Sequence, residues 1–192
     1  MNSITPSVPT SRPLLRREDL RADPYKQFTA WLEDAARGPV SQPLASSLAT
    51  VGADGRPLVR TVLLKFFNAD GFVFFTHLGS RKVRQMSENP HVSLLFPWLA
   101  LNRQVNITGR AEKLGPYEAV KCFLLGENHG VTARAAVEMQ LEELKKRLGA
   151  AWGGYRVVPD TLEFFQGCGL REHDRFLYTR RESGSWEIEP LD

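Results

Sequence analysis

In the stretch GSRKVRQMSENP, residues 79–90, the charges of a short helix run the wrong way. Ser80 is placed to cap the start, and Asn89-Pro90 to stop it. A helix N-terminus carries about half a positive charge and favours acids in its first turn. Here that turn holds Arg81, Lys82 and Arg84, and the one acid, Glu88, stands at the far end. An anion seated on the N-terminus would remove the conflict. Thr76, in the preceding FFTHLGSRK, adds a hydroxyl to such a site. A solvated basic helix end gives the same pattern, at a cost of about a few tenths of a kcal/mol.

Two further stretches carry charge in unusual places. In VRTVLLKFF (59–67), Arg60 and Lys65 interrupt an apolar strand. Strict alternation sends them to opposite faces, so a shared site requires a bulge or a second subunit. Both also fit cations that snorkel to solvent from strand ends. In GLREHDRF (169–176), Arg171, His173 and Arg175 alternate with Glu172 and Asp174. A strand would put the three basic groups on one face, suited to a phosphorylated or electron-rich ligand, with His173 able to titrate near neutrality. An exposed edge strand with cross-paired charges reads the same way.

The elements that must position these residues follow from period and punctuation. Asp23-Pro24 opens a helix with an apolar stripe of Phe28, Trp31, Leu32 and Ala35, which Gly38 ends. Strand-like runs follow at 47–51, 58–67 and 72–78, joined by the turns GADGRP and NADG. Beyond the 80–88 helix, runs at 91–98 and 103–114 read as a further antiparallel pair. Gly115-Pro116 starts a helix to about Leu125, and 134–148 reads as an amphipathic helix with Glu–Lys pairs. Runs at 154–159, 161–166, 175–180 and 185–191 close the chain. Short hairpins and few helices predict a mainly β fold, an antiparallel barrel with peripheral helices. Residues 1–12 read as a mobile tail, and no repeat or linker divides residues 1–192, so a single domain is expected.

The composition narrows the function. The 192 residues are 42% hydrophobic and 24% charged, ordinary for a soluble globular chain. Net charge is +3, with Lys and Arg spread along the chain rather than blocked, which argues against nucleic acid. Cys122 and Cys168 make no disulfide framework, and the four histidines show no metal-ligand spacing. No stretch reads as a signal peptide or membrane span, so a cytoplasmic protein without metal is expected.

Taken together and in order, the blocks RTVLLK, FFTHLGSRK, NPHVSLLFPW, RQVNITGRAEKL, WGGYRV and REHDRFLY resemble the pyridoxamine 5'-phosphate oxidase family. The resemblance runs from LLRREDLRADPYKQFTAWLEDA to the C-terminus. It implies an FMN-binding split antiparallel β-barrel and a homodimer with two FMN sites at the interface. It assigns Arg60, Thr61, Val62, Leu63 and Lys65 to the flavin through side chain and backbone, with Phe75 and Thr76 lining the same pocket. Arg81 and Lys82 would hold the FMN phosphate. Gln104, Phe165 and Arg175 would belong to the flavin ring's surroundings. Lys65, Arg171 and His173 match substrate-facing positions, with Arg171 and His173 closest to the chemistry.

The chain also departs from the family. A Tyr-Phe-x-x-Arg-Pro-x-x-Ser segment, whose Tyr, Arg and Ser bind the substrate phosphate, is replaced by KCFLLGENHGVTARAAVE. Cys122 stands at the Tyr position, and the Arg and Ser have no counterpart. A Gln-Ser pair that reaches the partner's FMN is missing, and a family Trp is Phe165 here. Lys121, Asn128, His129, Thr132 and Arg134 are the groups available to replace the lost clamp. The resemblance implies an FMN-dependent oxidase that forms pyridoxal 5'-phosphate from a phosphorylated B6 vitamer, with oxygen as acceptor. The lost clamp keeps two alternatives open: an oxidase of another small molecule, of the phenazine-biosynthesis type, or a non-catalytic flavin- or pyridoxal-phosphate-binding protein.

Overall fold

A computed structural model describes residues 15–125, 151–167 and 173–191. Helix α1 (Pro24–Arg37) begins where expected: the Asp23 carboxylate accepts from the amides of Tyr25 and Lys26, and Gly38 ends it. Its buried stripe of Tyr25, Phe28, Trp31 and Ala35 lies against the strands. The strands are β1 (Ala45–Val51), β2 (Pro57–Asn68), β3 (Gly71–His77), β4 (His91–Trp98), β5 (Arg103–Lys113), β6 (Trp152–Gly167), β7 (His173–Arg180) and β8 (Trp186–Leu191). They form one antiparallel sheet in the order β3-β2-β1-β4-β5-β6-β7-β8, and β3 also pairs with β6. That pairing closes six strands into a barrel and leaves β7 and β8 as an extension. Helix α2 (Arg81–Glu88) follows β3, and α3 (Pro116–Leu125) follows β5. The fold class read from the sequence is the one observed. The 1–12 tail and the 134–148 helix lie outside the described residues.

One expectation needs correction. The runs 154–159 and 161–166 are a single strand, β6, of 16 residues. Pro159-Asp160 looks like a turn but is a bulge. Thr108 faces Thr161 and Gly109 faces Pro159, so Asp160 is the extra residue. A bulge tolerates proline because no ladder hydrogen bond is needed there. Gly109 is required opposite it, since a Cβ would run into the Val158 carbonyl.

A second bulge shapes the rest of the molecule. Leu64 pairs with Phe74 and Phe66 with Val73, so Lys65 is the residue left over in β2. Before it, Val62 and Leu64 point into the core. After it, Phe67 points in and Phe66 packs outside with Val73, Leu114 and Cys122. Residues 57–63 of β2 pair only with β1, while Phe75–His77 of β3 pair only with β6. The barrel wall is thus parted between β2 and β3 beyond the bulge.

Phe28 plugs the barrel interior. Its ring centroid lies 5.0 Å from those of Phe67, Phe72 and Phe96 and 5.7 Å from that of Trp98. Among the described residues, no helix is long and apolar enough to cross a membrane. Replacing Phe28 by Ala removes a fully buried ring and should lower the unfolding free energy by about 3–5 kcal/mol, read from urea denaturation.

Candidate functional site

The parted wall is lined by cations. A tight turn joins β3 to α2: Ser80 N donates to the His77 carbonyl at 3.1 Å, and Gly79 N donates to His77 Nδ1 at 3.1 Å. Ser80 occupies the N-cap position, but its side chain makes no capping bond. Its hydroxyl accepts instead from Lys82 Nζ at 3.4 Å, and the same ammonium donates to buried Thr76 Oγ1 at 2.9 Å. From β2, Arg60 reaches inward. Its Nη1 donates to Thr50 Oγ1 at 2.6 Å and to the Leu48 carbonyl at 3.1 Å, and its Nη2 to Gln85 Oε1 at 3.2 Å. Glu88, the acid at the far end of α2, accepts from Ala53 N at 3.0 Å.

Among the described residues, no carboxylate lies within ion-pair distance of Arg60, Arg81 or Lys82. The cations therefore act on each other. Burial, then the Arg60 charge, lowers the Lys82 ammonium from its ordinary 10.5. Burial, then the Arg81 charge, lowers Arg60. Three cations, a buried hydroxyl and a helix N-terminus without an acid make a donor set suited to a dianion such as a phosphate monoester. Arg81 and Lys82 thus stand in one cluster with Arg60 and Thr76, a donor set whose chemistry fits the phosphate end of a flavin mononucleotide.

The other candidates divide between two places. Thr61 and Leu63 are exposed on the outer face of β2, whereas Val62 is buried in the core, leaving only its backbone to offer a ligand. Lys65, at the bulge, sets its ammonium 4.2 Å from the centre of the Phe123 ring on α3. Phe75 meets the same ring edge-on at 5.3 Å. Arg60 and Lys65 thus reach different helices. Cys122 is 3% exposed and packs with Val73 and Leu114; burial raises its thiol pKa. Its thiol is therefore not presented to a ligand.

A groove of about 420 Å³ opens on the outer face of the sheet, lined by Gln104, Asn106, Glu163 and Arg175 with Ser47 and Ser93 among others. Gln104, Phe165 and Arg175 are directly opposite one another on β5, β6 and β7, so they form one cross-strand row. Glu163 Oε1 accepts from Arg175 Nε at 3.0 Å and Nη2 at 2.9 Å. Sequence reasoning misses Glu163, although its parity with Phe165 puts it on this face. It also misses Thr50, Gln85 and Phe123, which have no unusual spacing. The His173 backbone opens β7 opposite Gly167. Arg171, Asn128, His129, Thr132 and Arg134 lie outside the described residues, and Lys121 is exposed on α3.

Comparison with known proteins gives this geometry a context. The pyridoxamine 5'-phosphate oxidase family model matches residues 32–149, and the pyridoxine 5'-phosphate oxidase C-terminal dimerisation region matches residues 152–192. The chain is 43% identical over 196 residues to the pyridoxine/pyridoxamine 5'-phosphate oxidase of Rippkaea orientalis, covering 92% of both chains. It is 45% identical over 198 residues to the protein of the same name from Crocosphaera subtropica, with the same coverage. Among solved structures, PhzG from Burkholderia lata, in complex with tetrahydrophenazine-1-carboxylic acid, aligns with TM-score 0.73 and 26% identity over 95% of this chain and 99% of that one. A pyridoxamine 5'-phosphate oxidase-related, FMN binding protein from Nostoc punctiforme shares the fold, with TM-score 0.62 and 18% identity over 88% of this chain and 97% of its own. The paired family models and the near full-length identity show that the chain belongs to the pyridoxamine 5'-phosphate oxidase family.

Proposed function

We propose that the protein is an FMN-dependent oxidase of pyridoxine and pyridoxamine 5'-phosphates, forming pyridoxal 5'-phosphate with molecular oxygen as acceptor. Relatives of that name at 43–45% identity support the reaction. The observation that carries the cofactor is the cluster of Arg60, Arg81 and Lys82, which lacks a protein carboxylate among the described residues. A flavin ending in phosphate supplies the missing charge. FMN held there would supply the redox chemistry, a two-electron oxidation of the substrate's alcohol or amine carbon with oxygen as the final acceptor.

The chain's own residues bind and orient. Arg81 and Lys82 hold the phosphate, with Thr76 fixing the Lys82 ammonium. Backbone groups of Arg60–Leu63, on the edge of β2 that β3 leaves unpaired, face the flavin. Gln104, Phe165 and Arg175 lie along the ring system. Lys65 faces the substrate, and Arg171 and His173 position its reacting carbon and assist proton removal. The assembly is a homodimer with sites at the interface. The dimerisation-region match over β6–β8, and Val59 and Leu63 exposed on the outer face, support it.

A second reading is favoured by Cys122, buried where the family's clamp carries tyrosine. It keeps the flavin site and changes the substrate to another small electron-rich molecule. Mixing the flavin-loaded protein with pyridoxine 5'-phosphate without oxygen separates the two. The first reading expects the yellow band to bleach and return with air; a band that stays yellow at saturating ligand favours the second.

Variants test the site. Arg81→Ala and Lys82→Ala should each weaken FMN binding at least about tenfold, the scale of one charge-assisted hydrogen bond, as read from flavin fluorescence. Arg171→Ala and His173→Ala should retain FMN and slow its anaerobic reduction; unchanged kinetics in both would remove them from the site. The pH dependence has a definite sign. Because Lys82 binds its proton less tightly when folded, the flavin-free protein gains stability as pH rises through that lowered pKa. Anion binding needs the ammonium, so affinity for inorganic phosphate, measured calorimetrically, should fall over the same range, and Lys82→Ala should flatten that fall.

A further inference from the structure

Two buried side chains outside the assigned set are arranged around Arg60. Thr50 on β1 is 1% exposed and Gln85 on α2 is 4% exposed. Thr50 Oγ1 donates to Gln85 Oε1 at 2.7 Å and accepts from Arg60 Nη1 at 2.6 Å. Gln85 Oε1 also accepts from Arg60 Nη2 at 3.2 Å. The Leu48 carbonyl, at 3.1 Å from Nη1, completes a three-sided hold. Burying a threonine hydroxyl and a glutamine oxygen is unfavourable unless they are hydrogen-bonded, and here both bond to each other and to one guanidinium.

The chemistry of this hold is specific. Every acceptor is neutral, so Arg60 is fixed in direction while its full positive charge stays available. A carboxylate at either position would hold it as firmly but cancel that charge. The hold also joins three elements, since β1, β2 and α2 each contribute a group. The helix that presents Arg81 and Lys82 is thereby registered against the strand that presents Arg60. We propose that Thr50 and Gln85 are positioning residues for the cofactor phosphate: a buried, uncharged brace that aims the Arg60 guanidinium into the cation cluster. The proposal rests on the phosphate-clamp reading of Arg81 and Lys82.

Riboflavin provides the test, because it keeps the flavin ring and lacks the phosphate. FMN and riboflavin are titrated separately into the flavin-stripped full chain, with fluorescence quenching as readout. Thr50→Val keeps the shape and removes the hydroxyl. It should weaken FMN about tenfold, the scale of one hydrogen bond to a charged group, and leave riboflavin affinity unchanged. Thr50→Ser should restore FMN binding. Gln85→Glu, which keeps the acceptor but adds a charge, should also weaken FMN and spare riboflavin, and it carries the test if Thr50→Val does not fold. Equal losses for both ligands would mean a merely structural role and overturn the proposal. Unchanged FMN affinity in Thr50→Val, with Arg81→Ala still weakening FMN selectively, would overturn the brace alone. Unchanged FMN affinity in Arg81→Ala would overturn the clamp reading, and the brace with it.

Discussion

The extra residue in β2 is the constraint on which the rest depends. A strand has period two, so one inserted residue reverses every side chain beyond it. Lys65 is that residue, and it lets Val62 and Leu64 fill the core on one side while Phe67 does so on the other. The same insertion ends pairing between β2 and β3. Without the parting, residues 57–63 would complete the barrel wall and Phe75–His77 would be tied to two strands instead of one. The turn into α2 and the cations it carries would then have no opening to line.

That opening is bounded by charge that the described residues do not neutralise. Arg60 and Lys82 are each lowered by burial and by a neighbouring cation. A fold selected for stability alone would place a carboxylate beside them. Acids are present but used elsewhere: Glu88 ties the turn at Ala53, and Glu163 is engaged by Arg175 in the outer groove. The repulsion is tolerable because Thr50, Thr76, Gln85 and Ser80 give the cations neutral partners. An anion entering the cluster would turn that repulsion into attraction, so the residues that weaken the empty cluster would strengthen a loaded one.

Most of the architecture is legible in the sequence because its signals are local. Asp23-Pro24 and Gly38 bound α1, Asn68–Gly71 turns β2 into β3, and the reversed charges of 79–90 point to an anion by residue type and order alone. The strand β6 reads as two runs because Pro159-Asp160 has turn composition, and only the partner strand with Gly109 shows a bulge. Thr50, Gln85 and Glu163 are illegible for a different reason. A threonine in a strand, a glutamine in a helix and a glutamate on an outward face are ordinary residues. Their roles arise from long-range pairing, β1 with α2 and β6 with β7, which no spacing along the chain encodes.

The two groups of site residues stand on opposite faces of one wall. Arg60 points inward from β2, while its neighbour Val59 points outward into the groove that holds Gln104 and Arg175. Among the described residues, none lines both the cation cluster and the groove. A single planar ligand anchored at the cluster therefore meets the Gln104–Phe165–Arg175 row most directly if a second copy presents its outer face across the parted wall. Such a copy would cover the exposed Val59 and Leu63 and would engage the strands matched to the dimerisation region, β6 to β8. Barrel closure and the bulge together fix this separation: the cation cluster faces the parting between β2 and β3, and the Gln104–Phe165–Arg175 row faces the opposite side of the sheet.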